Sequence, residues 1–257
     1  MILDTRVSVV IPVGPEKYHQ KYLEECVASV RAQTHPANEI LLIDDMTDLT
    51  TITDTTTMQM GNNWHVGVET AINGFLEGCN IWRSPWRLGV ASAINCGVSL
   101  AVNDLVYLLC ADDWLEPECL AACVEEYERR KDLLGYYHVT VRFAIEAGHQ
   151  HPFPLPDPPI QDLPCGSAMV TKQLWRCTGG FPLESGFSPD AVFISILLGN
   201  PGNGSLRPVK QGVPLCNLRL HAEQDSASRS PWVGVVGTVR DMMTREWKQP
   251  TWGRFDG

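Results

Sequence analysis

The 257-residue chain is short of positive charge: 20 lysines and arginines stand against 30 aspartates and glutamates, a formal net charge of −10. A bare polyanion such as duplex DNA meets net repulsion from such a surface, which argues against a general nucleic-acid-binding role. Any C-x-x-C pair is missing too. Nine cysteines are scattered from Cys26 to Cys216, an odd number that fits neither a disulfide framework nor a zinc knuckle and suits reduced thiols in a cytoplasmic compartment. No apolar run approaches the ~18 residues that a membrane helix needs. The N-terminus, MILDTRVSVVIPVGP, sets Asp4 and Arg6 before a short apolar run and so lacks the basic start and longer core of a signal peptide. A soluble, cytoplasmic protein is expected. Two phosphate-binding signatures are also absent: there is no G-x-x-x-x-G-K-[ST], and VGPEKY after the first apolar run does not follow G-x-G-x-x-G. P-loop and dinucleotide-fold chemistry are thereby set aside.

What is present is enough apolar sequence, 44% of residues, to bury a sizeable core. The first half alternates short β-branched runs with helical periods, the pattern of a parallel sheet with helices packed on it. VSVVIP and EILLID read as strands buried on both faces. Between them Tyr22, Leu23, Cys26, Val27 and Val30 recur at helical spacing. The Thr-rich stretch LTTITDTTTMQMGNN has no clear period and reads as a loop. NIWRS reads as a strand, and Val90, Ile94, Val98 and Ala101 mark a helix face. LVYLLC is a further strand, and Glu116-Pro117-Glu118 opens a helix through Leu120, Cys123, Val124 and Tyr127.

In the second half GYYHVTVRFAI alternates like a strand, whereas HQHPFPLPDPPIQDLP carries six prolines and reads as a surface loop or lid. CGSAMV, a helix near TKQLWRC, the turn TGGFP, a helix in SPDAVFISILL and a strand in VPLCNLRL complete the pattern. A single domain over 1–230 is expected, with a first half (1–113), a second half (114–230), and a tail, 231–257, that holds Trp232, Trp247 and Trp252.

Chemistry concentrates where apolar runs stop. EILLIDD and LVYLLCADD each end in an acidic pair, and in an open α/β sheet ligands bind at the carboxyl ends of the strands. Adjacent carboxylates raise each other's pKa unless a cation or hydrogen-bond donors compensate. Mg²⁺ or Mn²⁺ does so with one or two protein carboxylates plus phosphate oxygens. Acids after a strand are equally the residues of N-caps and solvated turns, and Asp190 in SPDAVF also suits an N-cap.

The run VSVVIPVGPEKYHQKYLEECVASVRAQTHPANEILLIDDMTD resembles the opening of the family 2 GT-A glycosyltransferases. The likeness continues in order through RLGVASAINCGVSLAVNDLVYLLCADDWLEPECL, GSAMVTKQLWRCTGGFP and SPDAVF, over roughly residues 6 to 221. The resemblance implies an α/β, Rossmann-like GT-A fold with a mixed, mostly parallel sheet flanked by helices. It implies an inverting, metal-dependent transferase that moves a sugar from a nucleotide donor, a UDP-sugar above all, to a hydroxyl on a glycan, lipid, protein or other acceptor.

Carried over by position, the resemblance puts Asp45 on the nucleotide base, with Pro12 and Val13 beside it, and Arg87 and Asn95 at the donor. Asp112 falls near the ribose, and Asp113 on the Mn²⁺ or Mg²⁺ that holds the diphosphate. His221 matches a late histidine that completes the metal or diphosphate shell in some relatives. Asp190 matches the catalytic base, and Gly179 and Gly180 a close backbone approach to sugar or acceptor. One departure stands out: many relatives carry an aspartate where this chain has Cys110, expected here as a small buried hydrophobe, with Trp114 packed under the carboxylates. Cys119 and Cys123, one turn apart without a third ligand, make a poor zinc site. A nucleotidyltransferase and a catalytically silent nucleotide-sugar-binding protein are the competing functions. The first wants a glycine-rich basic loop after the opening strand, and the second wants lost carboxylates.

Overall fold

The computed structural model describes residues 4–15, 17–47, 53–60, 64–71, 74–131, 133–149, 155–162, 167–183, 190, 193–194, 197 and 206–223. The 231–257 tail and its tryptophans lie outside the described residues. The opening apolar run forms β1 (Val7–Val13), buried along its whole length. It is flanked by parallel partners on both sides, β2 (Glu39–Asp44) and β6 (Leu105–Leu108). That double flanking explains why its sequence shows no polar alternation. Helix α1 (Lys17–Arg31) connects β1 to β2 and buries Tyr22, Leu23, Cys26, Val27 and Val30, the periodic face expected of it.

Beyond β2 the structure departs from the expected loop. Thr53–Met60 and Trp64–Ala71 form an antiparallel hairpin, β3 and β4, at one edge of the sheet. The correction has a simple cause: threonine is β-branched and favours extended backbone, and an edge hairpin needs no apolar alternation to be a strand. A 3₁₀ turn (Gly74–Leu76) leads into β5 (Asn80–Arg83), parallel to β2. Helix α2 (Val90–Leu100) then crosses the sheet and buries Ile94 and Val98, while Val90 stays exposed. Gly97 lets α2 come close, since a Cβ there would sit 2.3 Å from a methyl of Val10.

After β6 come a short β7 (Trp114–Leu115), α3 (Cys119–Arg130), β8 (Tyr136–Ile145), a two-residue β9 (Ile160–Gln161), β10 (Ala168–Thr171), α4 (Lys172–Thr178) and β11 (Leu206–Leu220). The proline-rich stretch thus contributes one short strand, paired antiparallel with β8, and β11 starts earlier than VPLCNLRL suggested. The strand order is β3-β4-β5-β2-β1-β6-β10-β8-β11-β7, with β9 beside β8. The central strands β5, β2, β1 and β6 are parallel, and β10 runs against both its neighbours. This is the mixed, mostly parallel α/β sheet expected.

One apolar core joins the sheet to α1 and α3, and a second joins it to α2 and α4. Strand order reverses around β1, so the carboxyl ends of β1, β2 and β6 converge on one edge, the place where such sheets bind ligands. The opposite edge is tied down by a buried polar knot: Ser8 donates to Glu39 at 2.5 Å, Asn103 donates to Ser8 at 2.9 Å, and Asn80 and the Val102 amide donate to the same glutamate. Among the described residues no helix is long and apolar enough to cross a membrane.

Candidate active site

At the carboxyl edge β1 ends in the buried pair Pro12 and Val13, opposite Ile43 and Asp44 of β2. The two acids that end β2 do different work. Asp44 folds back on its own turn: its Oδ1 accepts from the Thr47 amide at 2.7 Å and from the Thr47 hydroxyl, and Arg83 Nε lies 3.8 Å from its Oδ2. Asp45, also buried, reaches across to the start of α2. One of its oxygens accepts from the Leu88 amide at 2.5 Å and the other from the Gly89 amide at 2.9 Å. Anionic oxygens suit the amides that open a helix, which have no intrahelical acceptor. Beside this pair an open depression of ≈ 270 Å³ is lined by Asp44, Met46, Arg83 and Ser84. Arg87 lies exposed in the loop just before α2.

The second acidic pair sits in a turn beyond β6. That strand ends at Leu108, so Cys110 falls past it and is exposed rather than buried in the core; the expectation of a small buried hydrophobe is corrected by where the strand stops. The Asp113 amide donates to the Cys110 carbonyl at 3.2 Å and closes the turn. Ligand atoms of Cys110, Asp112 and Asp113 then all lie within 4.8 Å of one another. Burial and the neighbouring Asp112 charge push the Asp113 carboxyl well above the usual carboxylate range, opposed by an amide hydrogen bond and the positive charge of Arg219. Two crowded carboxylates of this kind, one of them desolvated, are a donor set that a divalent cation relieves.

Strand β11 closes the site from behind. The Arg219 amide donates to Asp113 Oδ1 at 2.9 Å, its Nε donates to the Asp112 carbonyl at 2.9 Å, and its guanidinium pairs with Glu25. His221, 1% exposed, holds Nε2 3.2 Å from Asp112 Oδ2, and its ring lies 5.3 Å from that of Tyr22. Trp114 is half-buried with the Arg219 guanidinium over its ring, so it packs beside the acidic turn rather than wholly in the core.

Asp190, Phe193, Ile194 and Leu197 have helical backbone, and the three apolar residues lie in the second core. Phe193 packs on Trp175, Phe181 and Tyr136, with ring centroids 5.2, 5.2 and 5.8 Å away. Although Cys110 is exposed as a residue, its sulfur sits among the acids, and desolvation there, then the charges of Asp113, Asp112 and Asp190, push the thiol well above its ordinary range. Asp190 therefore belongs to the same electrostatic neighbourhood as the acidic turn.

Asn95 and the glycine pair form a separate clamp. The Asn95 side chain donates to the Phe181 carbonyl and accepts from the Phe181 amide, both at 2.8 Å, so the amide is engaged within the protein. Gly179 is the left-handed cap of α4. Gly180 (φ 76°) is left-handed too, and a Cβ on it would lie 2.4 Å from Asn95 Oδ1. Of the expected site residues, Pro12, Val13, Asp45, Asp112, Asp113 and His221 gather along the sheet edge. Arg219, Tyr22 and Glu25 were not singled out from sequence as site residues; the signal was LRLH, where Arg219 near the end of β11 and His221 just past it stand two apart.

Three comparisons bear on this arrangement. The profile of the family described as Glycosyl transferase family 2 matches residues 8–55 and 65–157. A hyaluronan synthase and a chondroitin synthase of Pasteurella multocida are each 30% identical over 132 residues, 51% of this chain but 12% of theirs. The chain thus spans about an eighth of the length of those curated relatives. Among solved structures, residues 1–349 of S. aureus TarS in complex with UDP-GlcNAc superpose with a TM-score of 0.60 at 12% identity, over 87% of this chain and 61% of that one. The TarS 1–349 complex with UDP gives 0.56 at 13% identity, over 84% and 61%. At such identities the likeness carries the fold, and the GT-A architecture is shared. With the family profile covering more than half of the sequence, the chain belongs to glycosyl transferase family 2.

Proposed function

We propose that this chain transfers a sugar from a nucleotide donor, UDP-linked, to an acceptor hydroxyl with inversion at the anomeric carbon. The observation that carries the proposal is that Asp45 and the Asp112–Asp113 turn both follow strands at the carboxyl edge of one sheet in a family 2 chain. The donor half is 1–113 and the acceptor half 114–230. In this assignment the nucleoside lies over Pro12, Val13 and Asp45, beside the ≈ 270 Å³ depression, with Arg87 toward the donor. Asn95 and Gly180 shape the floor through Phe181 rather than by direct contact.

Asp113 and Asp112, with His221 against Asp112, would hold Mn²⁺ or Mg²⁺: two neighbouring carboxylates are the oxygen donors such an ion takes, while the nearby Cys110 thiol is a softer donor. When bound, the ion supplies positive charge for the departing diphosphate. Asp190 takes the proton of the acceptor hydroxyl as that oxygen bonds to the anomeric carbon, and the bond from that carbon to the diphosphate breaks to release UDP. UDP-GlcNAc is the first donor to try, given the TarS complex. Eight free cysteines among the described residues suit a reducing, cytoplasmic compartment.

Thermal shift with UDP, Mn²⁺ and both together tests the reading. Stabilisation by the pair beyond either alone is expected by linkage, and no such gain with any nucleoside diphosphate would sink it. Asp190→Asn should abolish transfer and keep the UDP shift; retained transfer would remove Asp190 as the base.

A further inference from the structure

Arg219 touches the acidic turn at two points, yet its guanidinium hydrogen-bonds to neither carboxylate. The guanidinium is sandwiched between Tyr22, 4.2 Å from the ring centroid, and Trp114, 4.6 Å away. Within that slot Nε donates to the main-chain carbonyl of Asp112 at 2.9 Å, and the far end pairs with Glu25. The main-chain amide of the same residue donates to Asp113 Oδ1 at 2.9 Å. One residue therefore fixes the peptide of one acid and the carboxylate of the next. Its side chain is 13% exposed, so water competes little for these bonds.

We propose that Arg219 is a positioning residue that holds the Asp112–Asp113 turn in its cation-binding geometry before any ion arrives. Adjacent carboxylates repel, and an unrestrained turn would splay them and lose conformational freedom on binding; a turn already fixed does not meet that cost. Arginine is the residue for the task because a planar guanidinium can stack on two rings while donating in its own plane. A lysine offers a flexible point charge instead. Glu25 completes the device by setting the rotation of the guanidinium from α1, and His221, two residues on, steadies the Asp112 carboxylate itself. The inference rests on the metal-dependent reading above.

The test measures Mn²⁺ binding to the full chain by the electron paramagnetic resonance signal of free Mn²⁺, with and without UDP, in wild type, Arg219→Lys and Glu25→Gln. Arg219→Lys should weaken Mn²⁺ binding roughly tenfold, the low end of what outer-shell substitutions do to metal sites. Excess Mn²⁺ should restore UDP binding, and melting of the metal-free protein should stay close to wild type. Glu25, 55% exposed at its side chain, can be changed without threatening the fold; Glu25→Gln should weaken Mn²⁺ in the same direction by less. It decides the matter if Arg219→Lys does not fold. Wild-type Mn²⁺ affinity in folded Arg219→Lys, or in Glu25→Gln when that variant alone folds, overturns the proposal. So does a loss of affinity that follows the metal-free melting temperature and is not rescued by excess ion. A wild-type chain that binds no Mn²⁺ refutes the metal reading itself, a different result from a wild type that binds and variants that match it.

Discussion

Replacing Asp45 by asparagine separates two roles that its position confounds. Its carboxylate accepts from the Leu88 amide at 2.5 Å and the Gly89 amide at 2.9 Å, and the residue is 4% exposed. Asparagine keeps one acceptor oxygen and turns an NH₂ toward the other amide, so one hydrogen bond to a charged group is lost, about 1.5–3 kcal/mol. Loss of the negative charge at the opening of α2 adds about 0.3–1 kcal/mol. The sum is about 3 kcal/mol, which for a chain of this size lowers the melting temperature by roughly 6–12 °C. Differential scanning calorimetry at neutral pH without nucleotide measures it. A variant melting within about 2 °C of wild type would refute the idea that this carboxylate staples β2 to α2. The corollary matters for function: Asp45→Asn weakens UDP binding through α2 even if the side chain never meets the base. Base recognition is read instead from the ratio of UDP to CDP affinity, which a staple alone does not change.

Gly180→Ala puts a Cβ 2.4 Å from Asn95 Oδ1 and 2.6 Å from Trp175 Nε1, on a left-handed backbone, and should cost more than about 2 kcal/mol in urea unfolding. Gly179→Ala, equally left-handed but with nothing within 4 Å, should cost only about 1 kcal/mol; equal losses would show that the clash is not felt. Burial, partly opposed by Asp162, holds the His138 imidazole below its ordinary 6.5. Its folded-state pKa is thus depressed, so the stability it contributes is complete above pH 6.5 and is lost as pH falls through the folded value. Melting of His138→Gln should therefore fall less than that of wild type on going from pH 6.5 to about 5, and parallel curves would contradict the shift. Cys110→Asp adds a third carboxylate to the group within 4.8 Å and should raise Mg²⁺ affinity relative to Cd²⁺, as carboxylate oxygen favours the harder ion. An unchanged ratio by calorimetry would place the thiol outside the coordination shell.

The central sheet was legible because buried parallel strands write themselves as unbroken apolar runs, as in VSVVIPV and EILLID. The β3–β4 hairpin was not, because an edge hairpin makes no demand for apolar alternation and its threonines carry no burial signal. The early part of β11, LRPVKQ, hid for a similar reason. In the candidate site the acids were visible at strand ends, where chain position alone predicts them. The partners were not: Glu25 and Tyr22 on α1, Trp114 on β7 and Arg219 on β11 come from three separate elements and meet only after the sheet is built. Asn95 shows the converse, a residue the resemblance put at the donor whose amide is taken up by the Phe181 peptide.

The pairing of β11 with β8 carries a last consequence. Val209 lies opposite Val139; residues 210–213 are then looped out, Pro214 lies opposite Thr140, and Leu215 is one more extra residue before Cys216 meets Val141. Because side chains alternate with a period of two, a single extra residue reverses the side taken by every residue after it. Leu215 acts as a half-turn of phase, the step that delivers Arg219 rather than its neighbours to the acidic turn. A lineage of such chains could retune this edge without changing one site residue, by gaining or losing a residue there, and a deletion of Leu215 would silence the turn while every acid stayed in place.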